Sequence, residues 1–332
     1  MAEKANQHFV PQFYFRYFSK DGRSICVLNK SNGQVIKTAS IKGQASKHYF
    51  YGNTEVEAAM CEVEIIFSSI LRSLKYNLTF EGAEYDDHLV LMQAIALQRT
   101  RTMAARKRSQ PMHDLVLRYH LKSQMLLDTS LSPDDKKELL VALPFIHGDP
   151  KQNQALQMSA AVEDAGVLMN LHPVILHNKT VKPFIFSDAP VIFSNPHFSH
   201  IKNKGVLGAD NRGLIIYYPI GPKHCIMLFD QKVYRLKGLA RHQIFVKKLQ
   251  DVFSLNLLQL QNADSAVYFS SPDDEMYVKL LFESTKNKFT QPMLNIVESE
   301  SFNPDVTMQD NGAHEFERQL PSIPRLSFME KS

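Results

Sequence analysis

The stretch PVILHNKTVKPFIFSDAPVIFSNP, residues 173–196, holds three short runs of β-branched and aromatic residues, separated by prolines and turn formers. Such runs are strand signals. They recur in GLIIYYPI (213–220) and HCIMLF (224–229), so a sheet begins at about residue 173. After it, RHQIFVKKLQDVFSLNLLQLQNA (241–263) reads as one long helix, AVYFSS (266–271) as a strand and DDEMYVKLLFESTK (273–286) as a last helix.

Upstream the period is different. From Thr54 to about His172 apolar residues recur at helical spacing: TEVEAAMCEVEIIFSSILRSL, DDHLVLMQAIALQRTRTMAARKR, the weaker pair MHDLVLRYHLKSQMLL and SPDDKKELLVAL, and NQALQMSAAVEDAGVLMNLH. Thr54 lies three residues before Glu57, and Ser132 precedes Pro133, Asp134 and Asp135; both positions suit N-terminal caps. Pro111 is expected to break any helix around it. Further upstream, SICVLNK and QVIKTAS flank Ser31-Asn32-Gly33 and read as a β-hairpin. The predicted class is therefore α+β: a small N-terminal β-hairpin, a central helical layer and a C-terminal mixed sheet with covering helices. We expect a single compact unit over 1–294, with hairpin and helical layer in 7–172 and the β-rich layer in 173–290. Residues 295–332 carry prolines and acids but few aliphatics, and are expected to form a mobile tail.

Composition narrows the function classes. The 332 residues are 44% hydrophobic and 22% charged, enough for an ordinary core. No run approaches the ~18 apolar residues of a membrane span, and MAEKANQ lacks the features of a signal peptide, so a cytoplasmic protein without membrane association is expected. Three widely spaced cysteines, Cys26, Cys61 and Cys225, argue against a disulfide framework or a zinc finger. A net charge of +4 is too small over the whole chain to imply nucleic acid by itself.

The opening QHFVPQFYFRYFS, residues 7–19, places six aromatics after a single histidine. Pro11 suits the start of a short helix reaching about Phe18. Only Gln12 and Arg16 would be polar on it, so the helix must be buried, tying the chain start into the core. His8 then precedes a helix N-terminus, where a phosphate or carboxylate can rest; the plainer alternative is a histidine bonded to a backbone carbonyl.

Three further constellations carry chemistry. Glu57 and Glu64 lie seven apart on one helix face, and Glu64 borders the apolar stripe. Gln98, Arg99 and Arg101 open a basic run that continues through Arg106, Lys107 and Arg108, which reads either as a phosphate track or as cations suited to a helix C-terminus. Asp188 sits between two apolar strands, so it is either a buried functional carboxylate or a turn-forming residue before Pro190. His197 and His200 lack a third ligand, and no zinc is assigned.

These residues carry a resemblance. H-F-V-P-Q-F-Y-F-R-Y-F resembles the H-x-V-P-x-x-Y-L-x-x-F opening of the domain of unknown function 4238 family. Glu57 and Glu64 resemble its paired helix glutamates; Gln98, Arg101 and Thr102 its Q-x-x-R-T; Ser187, Asp188 and Pro190 its S-D-x-P; Pro219, Ile220 and Pro222 its P-L-x-P; and Asn256 the asparagine of its late helix. Phe15 stands where the family usually has Leu, Met103 where proline often follows the threonine, and Ala189 where asparagine is common. The resemblance implies a shared fold with polar positions drawn from both layers, and no established activity.

A histidine, acids and an arginine from separate segments are what acid/base work on a phosphate ester requires. The leading expectation is a nuclease-like, phosphodiester-processing enzyme acting in phage defence or as a toxin, with His8, Glu57, Glu64, Gln98, Arg101 and Asp188 catalytic. Arg99, Arg106, Lys107 and Arg108 would contact RNA or DNA, and a divalent metal such as Mg would be held by the acids. The competing expectation is a non-catalytic nucleic-acid or protein-binding module, in which these polar residues form a structural network joining the two layers.

Overall fold

The computed structural model describes residues 6–52, 54–82, 84–201, 205–285, 294–297, 314–317 and 319–331. The chain is α+β. It opens with a short strand β1 (Asn6–His8) and a single-turn helix α1 (Gln12–Arg16), followed by the hairpin β2 (Ser24–Asn29) and β3 (Val35–Ser40) and by β4 (Ser46–His48), which pairs with β1. The helical layer comprises α2 (Thr54–Asn77), α3 (Tyr85–Thr100), α4 (Met103–Leu127), α5 (Pro133–Ala142) and α6 (Pro150–Glu163). The β-rich part contains β5 (His172–Asn178), β6 (Phe186–Ser187), β7 (Ile192–Ser194), β8 (Ile215–Gly221), β9 (His224–Phe229), β10 (Tyr234–Leu236) and β11 (Gln243–Val246). Then come α7 (Leu249–Asn262), β12 (Ala266–Phe269), α8 (Glu275–Thr285) and three short strands, β13 (Leu294–Val297), β14 (His314–Glu317) and β15 (Met329–Lys331).

Two sheets organise these elements. One has the order β11-β5-β9-β8-β7 and is mixed, because β11 runs parallel to β5 while the other pairs are antiparallel. The alternation of its side chains explains the layering. Ile175, Ile216, Tyr218, Ile220, Ile226 and Leu228 join the core shared with Leu91 and Ile95 of α3. Their neighbours Val174, Leu176, Ile215, Tyr217 and Met227 face the other way, onto Val252, Leu255 and Leu258 of α7. A sheet buried on both faces needs continuous apolar runs, and the sequence supplies them.

The second sheet has the order β3-β2-β12-β6. The predicted hairpin is thus one half of a sheet completed from the far end of the chain, with Cys26 opposite Phe269. Its turn depends on Gly33, at φ +71, where an added Cβ would lie 2.6 Å from the Phe282 ring of α8. The opening aromatics pack onto this sheet. Phe186 receives Tyr14, Phe15 and Phe18 at ring distances of 5.1, 5.1 and 4.4 Å, and Tyr268 receives Phe15 at 4.8 Å. Pro11 stands at the N-cap of α1 with φ −62, as its ring requires.

Four local expectations change. The run 86–108 is not one helix: α3 ends at Thr100, and Thr102 caps α4 by accepting from the Ala105 amide at 3.1 Å. Pro111 lies inside α4 without ending it: burial of Met112 and Asp114 holds the helix past a residue that removes one backbone bond and crowds the carbonyl of the preceding turn. Residues 243–246 form β11 instead of the first turn of a helix, and α7 begins at Leu249. Within the stretch expected to be a mobile tail, residues 319–331 lie against the body: Leu320, Leu326 and Phe328 are buried beside α7, β15 pairs with β10, and Asp251 accepts from the Ser327 amide and hydroxyl at 2.8 and 2.7 Å. Residues 298–313 lie outside the described ones. Ser132 caps α5 reciprocally with Asp135, as the sequence suggests, whereas the cap expected at Thr54 lies outside the described side chains. Among the described residues no helix is long and apolar enough to cross a membrane.

The seam between the helical layer and the five-stranded sheet gathers histidines. His172 stacks on His242 at 4.6 Å, and His177 meets His224 at 5.2 Å. Burial, followed by His177, Lys75 and Lys179, holds His224 down to about 4; burial likewise lowers His88, His172 and His177. Groups that bind a proton less readily folded than unfolded leave stability whole above about pH 6.5 and erode it as the pH falls toward 4. Melting temperatures should therefore drop from pH 7 to pH 5, with a shallower drop in His224→Gln; a flat profile would contradict the seam's role. Phe18→Ala should cost roughly 3–5 kcal/mol in denaturant unfolding, the usual effect of emptying a buried phenylalanine site.

Candidate functional site

The peptide of residues 7–9 enters the helical layer as an extended strand, so its carbonyls need partners inside the fold. They are met from α3. Gln98 Nε2 donates to Phe9 O at 3.1 Å and Arg101 Nη2 to His8 O at 2.7 Å. Residues three apart on a helix share a face, and successive carbonyls of an extended strand are therefore within reach of both. This accounts for the Q-x-x-R spacing, and Thr102 completes the motif by starting α4. Proline often stands at position 103 in the resembling sequences; here Met103 occupies that first helical position, where proline is favoured because no amide is needed.

Arg101 is the largest side chain to be fully enclosed, with 2% of its surface exposed. Its Nε donates to Tyr51 Oη at 3.0 Å, and Nη2 also pairs with Glu64 Oε1 at 2.6 Å. Tyr51 Oη donates in turn to His8 O at 3.2 Å, while the Tyr51 amide donates to Gln7 Oε1 at 2.6 Å. Burial works against the guanidinium charge, but Tyr51 and Glu64 outweigh it and hold the group more firmly protonated than a free arginine. The His8 ring points elsewhere: its Nε2 lies 3.1 Å from Lys42 O and 3.5 Å from Gln12 Nε2. Tyr14 Oη donates to Pro219 O and its ring stacks on Tyr218 at 5.1 Å, which links the opening motif to the P-x-x-P turn of the sheet.

Asp188 belongs to a second cluster. It is 1% exposed, and its carboxylate accepts from the Asp264 amide at 2.8 Å, the Ser265 amide and hydroxyl at 2.8 and 2.7 Å, and the Ala266 amide at 3.1 Å. Burial pushes this carboxyl up, against the Ser265 and Asp264 hydrogen bonds that favour the charged form. The turn entering β12 is thereby fixed. The neighbouring backbone, residues 183–191, is held by a row of amides on α7. Asn256 binds Pro183 O and the Ile185 amide, Gln259 binds Ser187 and Pro190 O, and Asn262 binds Ala189 O. Gln259 and Asn262 escaped the sequence reading; the legible signal is three amides at i, i+3 and i+6 in NLLQLQN, one stripe along the helix.

The two clusters do not meet: Asp188 shares no hydrogen bond with His8, Glu64, Gln98 or Arg101. Glu57 stands in the first turn of α2, and its side chain lies outside the described ones. The basic run is dispersed as well. The Arg99 guanidinium lies 3.6 Å from the Phe193 ring centroid; Arg106 lies over Phe50 and donates to Phe50 O at 2.7 Å and Gln154 Oε1 at 2.8 Å; Lys107 pairs with Asp264 at 2.7 Å. Arg106, Lys107 and Arg108 occupy the first turns of α4 and not a helix C-terminus, so the dipole disfavours them there and neighbouring groups hold them. No group of three His, Cys, Asp or Glu among the described residues is placed to hold a metal ion, so the expected divalent ion finds no ready ligand set in either cluster.

A narrow pocket adjoins the Arg101 cluster. Its polar lining is Glu64, Gln98, Arg101 and Tyr218, its walls include Pro11, Phe13 and Phe67, and it measures about 260 Å³ with its open mouth. Its floor has room for about one water molecule.

The chain belongs to the family described as protein of unknown function (DUF4238), whose model matches residues 6–273. No curated protein and no solved structure matches it. All the motif residues above fall inside the matched span, whereas the strap at 319–331 falls outside it.

Removing one partner of a buried ion pair strands the other, at a cost of about 3–5 kcal/mol. Arg101→Ala should lose stability on that scale in chemical denaturation, and Asp188→Ala should melt early because four donors of the turn before β12 lose their acceptor. A wild-type melting curve for either variant would show that the clusters are not structural.

Proposed function

We propose that this chain is a non-catalytic binding protein whose signature residues chiefly form a structural network, part of which lines a pocket. The carrying observation is the Arg101–Glu64 pair, 2.6 Å apart, lining a pocket that also presents Gln98 and Tyr218. What supports binding over hydrolysis is the use already made of the candidate catalytic groups. Arg101 is charge-compensated by Glu64 and ties down a backbone carbonyl, so it offers little net charge to a phosphate. Asp188 is 1% exposed, and its carboxylate already accepts from four donors of the turn before β12. Acid/base work needs its groups within hydrogen-bond reach of one substrate atom, and the His8 and Asp188 side chains have separate partners.

Two assays on the purified chain test this. Labelled RNA and DNA incubated with Mg²⁺ should remain intact, while a library of small polar molecules should contain members that raise the melting temperature, since a ligand of the folded state stabilises it by mass action. Cleavage that disappears in Asp188→Asn with unchanged melting would restore the phosphodiester reading. Charge reversal at Lys107 should disturb its Asp264 pair and leave any such ligand's affinity unchanged.

A further inference from the structure

A second cleft opens where the strap at 319–331 crosses the body, and it shares no lining residue with the pocket beside Arg101. It measures about 520 Å³, or about 1050 Å³ with its open mouth, which is the size of a small-molecule site. The body contributes Pro196, Ser199 and Tyr234, and the strap supplies the remaining wall. That wall is fixed in place. Gln261 Nε2 donates to the Ser322 hydroxyl at 2.8 Å and Gln261 Oε1 accepts from the Ser322 amide at 3.0 Å, Asp251 holds Ser327, and β15 pairs with β10.

The lining separates into two chemistries. Pro196, Pro321, Ile323, Leu326 and Met329 are apolar. Tyr234 joins them through its ring, because its hydroxyl already donates to Gly213 O at 3.0 Å and accepts from the His197 amide at 2.9 Å. The charged lining residues are Arg325, Glu330 and Lys331. Glu330 is engaged by Lys237 at 2.5 Å, whereas Arg325 and Lys331 have no ion-pair partner among the described residues. The surplus positive charge acts on its surroundings: His197, next in the chain to Pro196, takes up a proton less readily than a free histidine, first through burial and then through Lys331 and Arg212, with Asp230 opposing them.

A cationic rim draws an anion, and apolar walls draw an apolar body. A purely polar anion would leave those walls without a partner, a neutral apolar molecule would leave both cations unused, and an ammonium head would be repelled. We infer that this cleft binds a small amphiphilic carboxylate, its head toward Arg325 and Lys331 and its aliphatic body against the proline-lined wall. The planar fork of an arginine suits a carboxylate head.

Three probes with one chain length and different heads test this. In calorimetry at low salt, below micelle-forming concentrations, decanoate should bind at one site per chain, decan-1-ol about three- to tenfold more weakly, and decylammonium more weakly still. Added salt should narrow the difference between decanoate and decan-1-ol. Replacing Arg325 and Lys331 together by alanine removes two exposed side chains without ion-pair partners, so that variant should melt like wild type and bind decanoate no better than decan-1-ol. Ile323→Asp places a carboxylate in the apolar wall and should remove decanoate binding; if it fails to fold, the double alanine variant decides. Decan-1-ol binding as tightly as decanoate, or decanoate affinity unchanged by the double substitution, overturns the assignment. Absence of binding, or several decanoates per chain, overturns it as well. The pocket beside Arg101 contains none of these residues, so the melts with polar molecules judge the binding reading above separately.

Discussion

A guanidinium enclosed by protein organises this molecule. Arg101 is costly to bury, and the fold offsets that cost by surrounding the group with a carboxylate, a phenol and a backbone carbonyl. Each partner belongs to a different element: Glu64 to α2, Tyr51 to the loop after β4, and His8 O to β1. Helix, loop and strand thus have one mutual arrangement that leaves no charge unpaired. Apolar packing alone tolerates small shifts of one layer over another, whereas a buried charge with directional donors does not.

The same device recurs across the core with other chemistry. Asp188 gathers amides of the turn before β12, and the α7 amides gather the backbone between β6 and β7. In each case a polar side chain satisfies backbone groups of an irregular segment that would otherwise be buried without partners. Short strands such as β6 and β7 make few ladder bonds, so side chains supply what the sheet does not.

Much of the architecture was readable because it depends on local patterning. Alternation around Ser31-Asn32-Gly33 gave the hairpin, 3.6-residue periodicity gave the helical layer, and the aromatic density of residues 13–18 required burial. The points that failed depend on tertiary contacts. Pro111 is accommodated by packing of its neighbours, and Gln243–Val246 becomes a strand only because β5 lies beside it. For the site, Gln98, Arg101, Glu64 and Asp188 stand out in the sequence, but their residue types do not reveal whether a carboxylate faces solvent or three backbone amides. Tyr218 and Gln259 escaped notice because a tyrosine in an apolar strand and a glutamine in a helix are ordinary until their neighbours are known.

The second sheet has a consequence for biosynthesis. β2 is bordered by β3, only a turn away, and by β12, whose partner residues Phe269 and Cys26 are separated by most of the chain. Tyr14 likewise waits for Pro219. A ribosome delivers residues 14–18 well before Phe186, Pro219 and Tyr268, so an apolar strand edge and a cluster of aromatics stay uncovered in the interval. Such long-range pairing folds slowly and leaves adhesive surface exposed meanwhile. The contacts that hold residues 14–18 in the finished molecule are thus among those that form late in synthesis.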